Sequence, residues 1–125
     1  MLHIVNAALA QKATDIHIVC KNNEEKIYFV IDGKLHEQQE CSLSESLSQK
    51  CGCFFAESST EKFDPEAMQS GTVYDAFESP LIIRFQTVPL YDPFEDNWHK
   101  KFEMLLKLLP QYKPGLNESK GCVPL

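Results

Sequence analysis

The chain has 125 residues, 43% of them hydrophobic and 24% charged, with a formal net charge of −6. That length suits one domain with its own core. The acidic balance argues against a nucleic-acid partner and against docking on an anionic membrane leaflet. No apolar run approaches the ~18–20 residues needed to cross a bilayer, and the N-terminus lacks a basic start with a long apolar stretch, so neither a membrane span nor a signal peptide is read.

Leu2 to Lys12 reads as a helix, with Leu2, Val5, Ala8 and Leu9 on one face. In Asp15–Cys20, positions 16, 18 and 20 alternate as in a half-buried strand. After the polar turn 21–25, Lys26 to Asp32 repeats the pattern through Ile27, Phe29 and Ile31, so a hairpin is expected. Asp32-Gly33 signals a second turn, with a short returning strand from Lys34 to Gln38.

A second helix is expected from Ser42, since Ser42 and Glu45 have capping-box spacing and Leu43, Leu47, Cys51 and Phe54 line up along one face. Asp64-Pro65 has the form of a helix start, for one or two turns. Two strands follow, Thr72 to Phe77 and Leu81 to Val88, then a loop between Pro89 and Pro93. From Asp96 or Asn97 a last helix is predicted, with Trp98, Phe102, Leu105, Leu106 and Leu109 as its apolar stripe and Pro110 as its stop. The stretch 111–125 has no period and reads as a loose tail. The order predicts an α+β domain over residues 1–109: an antiparallel sheet with helices mainly on one face.

Chemical motifs are few. No P-loop and no G-x-S-x-G elbow occurs. Five cysteines, an odd number without an export signal, suggest reduced thiols and a cytoplasmic setting. Cys51-Gly52-Cys53 has no second Cys/His pair at metal-site spacing, so no metal or other cofactor is expected. Asp15 and His17 share a strand face and could form an acid–base pair, but no nucleophile accompanies them. Asp92, Glu95 and Asp96 read as a solvated acidic loop. The chain is therefore expected not to be an enzyme.

Four stretches resemble one family. Ala13-Thr14-Asp15-Ile16-His17-Ile18 looks like an "A-S-D-I-H-I" strand, and Ile27 to Leu35 like a strand ending in "I-D-G-x-L". Gln69-Ser70-Gly71 is similar to "Q-D-G-R", and Leu81 to Pro89, with Arg84, to "L-R-V-S-T-x-P". Together they resemble, in order, the N-terminal domain of the secretion ATPase superfamily, the bacterial motors of type II secretion, type IV pili and related type IV secretion. The resemblance spans about Met1 to Leu109 and implies a PAS-like α+β fold. Its motif positions here are Asp15, Ile16, His17, Asp32, Gly33, Gly71 and Arg84.

The departures carry information. The family's ATP-hydrolysing domain follows this region, and no Walker motif is present, so ATP hydrolysis by this chain alone is not expected. In the family, arginines on the second strand reach a nucleotide; the matching positions are Tyr28 and Val30, which offer no charged fork to a phosphate. Thr72 stands for the arginine after "D-G", and Pro93-Phe94-Glu95-Asp96 stands where the family has Gly-Glu before a closing strand. The resemblance thus implies a retained scaffold with most nucleotide contacts gone. Tyr28 and Val30 should face away from the helices beside His17, giving a candidate interface of His17, Tyr28, Val30 and Arg84. The expected partner is a secretion or pilus ATPase subunit, with a second copy of the chain as a further candidate. Alternative readings are a PAS-like small-molecule sensor and a fragment of a full ATPase.

Overall fold

The computed structural model describes residues 1–21, 24–38, 46–90 and 101–111. Helix α1 (Leu2–Ala10) leads into strand β1 (Asp15–Lys21), followed by β2 (Glu24–Ile31), β3 (Lys34–Gln38), helix α2 (Leu47–Ser58), β4 (Gln69–Val73), β5 (Leu81–Pro89) and β6 (Phe102–Pro110). The six strands form one antiparallel sheet in the order β3-β2-β1-β6-β5-β4. The fold is α+β, with both helices on one face, as the element order predicts.

Alternation explains the layering. Ile16, Ile18 and Cys20 of β1, Ile27 and Phe29 of β2, and Ile83 and Phe85 of β5 turn to the helices and are buried. Ile4, Val5 and Ala8 of α1 and Leu47, Cys51, Phe54 and Phe55 of α2 close over them. An aromatic chain ties this core: Phe54 and Phe55 lie edge-on to Phe85, Phe55 packs on Phe63, and Phe63 meets Phe102 at 5.2 Å between ring centres.

The local signals work as physics requires. The β2–β3 turn has positive φ at both Asp32 (52°) and Gly33 (77°), the type I′ geometry that matches strand twist. Helix α1 ends with Lys12 in the left-handed region at φ 61°; Ala13 N–H donates to Ala8 O and Lys12 N–H to Leu9 O, a Schellman closure. Helix α2 begins at Ser46, whose Oγ accepts from Gln49 N–H. The Ser42 start lies outside the described residues.

Three expectations need correction. Residues 102–109 are strand rather than helix: Phe102, Met104, Leu106 and Leu108 are buried at period two, because the gap between β1 and β5 supplies partners on both sides. Trp98 and the Asp96 or Asn97 cap lie outside the described residues, as do the acidic loop residues and 112–125 of the tail. The segment at Asp64-Pro65 is a hydrogen-bonded turn and not a helix, since the Asp64 carboxylate accepts from Glu66 N–H and Asp64 O from Ala67 N–H, while Gln69 binds Asp64 N–H and Lys62 O. Strand β4 lies earlier than Thr72–Phe77; it stops at Val73 because Asp75, Phe77 and Glu78 take positive φ in a tight left-handed turn.

Candidate functional site

The sheet face opposite the helices carries the candidate interface. The register aligns it in rows across strands. One row runs Glu37, Tyr28, His17, Leu105, Gln86 and Ser70, from β3 to β4. The next runs Leu35, Val30, Asp15, Lys107, Arg84 and Thr72. His17, Tyr28, Val30 and Arg84 therefore share one face, and His17 and Tyr28 are direct cross-strand neighbours. The segment 102–109, which as a helix could have covered this face, is part of the sheet instead.

The two halves of the face differ in chemistry. Toward β3 it carries half-buried Tyr28 and Val30 and Leu35, 59% exposed, with exposed Glu37 beside Tyr28. Toward β4 it is polar. A shallow depression of about 570 Å³ opens there, lined by Asp15, Ser70, Thr72, Arg84, Gln86 and Lys107 over a floor that includes Gly71, Phe85 and Leu105. Thus the motif positions Asp15, Gly71 and Arg84, far apart in sequence, meet in one depression. Of the other motif positions, Ile16 is core, and Asp32 and Gly33 form the hairpin turn at the sheet's edge.

Between the halves, His17 Nδ1 lies 3.5 Å from Glu103 Oε2, both side chains being under one-third exposed. The carboxylate that engages His17 is thus Glu103, from β6, rather than Asp15. As a partly exposed pair that is charged only when His17 is protonated, it contributes at most about 1 kcal/mol. Lys107 and Glu103 escape sequence reasoning because a helical reading of 102–109 assigns them to no sheet face.

The thiols lie elsewhere. Cys20 and Cys51 are buried together between β1 and α2, and Cys53 is exposed. A hydrogen bond with Cys20, reinforced by burial, holds the Cys51 thiol well above its ordinary pKa, keeping it protonated. Among the described residues no three His, Cys, Asp or Glu side chains converge on a metal position. No helix among them is long and apolar enough to cross a membrane. No protein-family model matches the chain, and no curated protein matches it.

Proposed function

We propose that this chain is a non-catalytic, PAS-like domain of the kind that precedes the motor domain in secretion and pilus ATPases. In this reading it works in the cytoplasm by protein–protein contact with such an ATPase. One observation carries the reading: Asp15, Gly71 and Arg84, the motif positions from three separate strands, line a single depression on the sheet face opposite the helices. Tyr28 and His17 lie on the same face, and aromatic residues and arginine are enriched in interface hot spots. The replacement of the family's phosphate-contacting arginines by Tyr28 and Val30 fits contact rather than nucleotide chemistry.

The test is capture of a purified secretion or pilus ATPase by the full chain. Tyr28→Asp should leave thermal melting nearly unchanged and weaken capture more than tenfold, or ~1.4 kcal/mol. Calorimetry with Mg-ATP should show binding no tighter than millimolar. Micromolar ATP binding, or undiminished capture by a folded Tyr28→Asp variant, would overturn the reading.

A further inference from the structure

Arg84 is the only arginine in the chain. It stands directly across from Lys107 in the β5–β6 pair, and like charges directly opposite on a sheet repel. Lys107 has Asp15 on its other side in the register, yet neither Arg84 nor Lys107 forms an ion pair with any described residue. In a chain with 18 acidic residues and net charge −6, the β5–β6 pair thus sets two cations side by side on one sheet face.

Their surroundings complete a donor set. Thr72 lies across from Arg84 and Ser70 across from Gln86, so two hydroxyls and a side-chain amide border the two cations. A guanidinium fork beside an ammonium suits a planar oxyanion. Asp15 on the rim brings the ionised side chains of the depression to a net +1, which one carboxylate neutralises, whereas a phosphate dianion would leave the site at net −1. We propose that this depression binds a carboxylate, the side chain of an Asp or Glu on the protein that docks on this face. The proposal rests on the contact reading above.

The sheet also sets the spacing of the partner's groups. From β2, with Tyr28 and Val30, to β5, with Arg84, is three strand separations, about 14 Å. The docking segment therefore carries an apolar side chain and a carboxylate about 14 Å apart, roughly nine residues along a helix or four in an extended chain.

Amide NMR of the full chain at low salt tests the site, with acetyl-tetraglutamate amide as the probe and its tetraglutamine counterpart and inorganic phosphate as comparators. The glutamate peptide should shift residues 70–72, 84–86 and 105–107, the glutamine peptide should not, and 0.5 M salt should abolish the effect. Arg84→Gln should weaken binding at least tenfold without lowering the melting temperature, since it relieves a repulsion; Lys107→Gln should act in the same direction. Shifts elsewhere, no shifts, or unchanged binding by Arg84→Gln would overturn the proposal. Tighter binding of phosphate than of peptide would overturn it too, by assigning the site to a free oxyanion. In ATPase capture, Arg84→Gln should weaken the complex as Tyr28→Asp does. Full capture by Arg84→Gln alongside loss by Tyr28→Asp sinks the carboxylate site and leaves the contact reading standing. If wild type captures no ATPase but binds the glutamate peptide as described, the contact reading falls while carboxylate binding is supported.

Discussion

The ring of Phe85 occupies the space that a side chain at Gly71 would need: a Cβ there would come within 2.5 Å of Phe85 Cζ. The two residues are register partners, and Phe54 and Phe55 press on the same ring from α2. Phe85 therefore cannot yield without disturbing the core. Gly71→Ala should cost about 1–3 kcal/mol by overpacking, read as a lower urea midpoint with an unchanged slope. An unchanged midpoint would mean that the ring has room to move.

Phe102 is 1% exposed and its ring closes the aromatic chain through Phe63. Phe102→Ala should lower stability by about 3–5 kcal/mol in the same measurement. A loss below 1 kcal/mol would be incompatible with a buried β6.

The Glu25 carboxylate, from β2, accepts the backbone N–H groups of Leu47 and Ser48 at 3.0 and 3.2 Å. It thereby satisfies two donors of the first turn of α2 and places negative charge at the positive end of the helix. Glu25→Gln should cost about 1 kcal/mol, and amide exchange should quicken first at residues 47–49. Uniform exchange changes across the sheet would contradict a local cap.

Lys12 holds a left-handed conformation that glycine adopts without steric cost. Lys12→Gly should raise stability by about 0.5–1 kcal/mol despite the more flexible unfolded chain. Thermal melting decides the sign.

The cysteines should separate by alkylation rate. A raised pKa leaves less thiolate at a given pH, so at pH 8 iodoacetamide should modify exposed Cys53 well before Cys51, with Cys20 and Cys51 reacting together only on unfolding. Mass mapping of the native protein checks this; early labelling of Cys51 would contradict its burial.

Where a sequence pattern allowed one geometry, it could be read. Ile16-His17-Ile18 and Ile27-Tyr28-Phe29 alternate strictly, and Asp32-Gly33 fits a type I′ turn, so β1 to β3 and their faces were legible. Residues 102–109 are ambiguous: Phe102, Leu105, Leu106 and Leu109 fit a helix, and Phe102, Met104, Leu106 and Leu108 fit a strand. Leu, Met, Lys and Glu favour helix intrinsically, and the open edges of β1 and β5 override that preference. The candidate site was legible on the same terms. His17, Tyr28, Val30 and Arg84 were placed by alternation, whereas Lys107 and Glu103 depend on the register of β6. The start of α2 was obscured because Ser42/Glu45 and Ser46/Gln49 share one spacing, and because Glu25 acts from 22 residues away.

The central place of β6 has a consequence for synthesis. Strand β1 finds its second neighbour only in β6, and β6 also joins the β3-β2-β1 sheet to the β5-β4 pair. A ribosome working at about 5–20 residues per second needs some 4–18 s to go from the end of β1 to the end of β6. For that interval β1 is an unpaired edge with hydrogen-bonding groups free on one side, able to recruit a strand from another nascent chain. Expression yield should therefore respond more to elongation speed and to chaperones that shield β1 than to the stability of the finished domain.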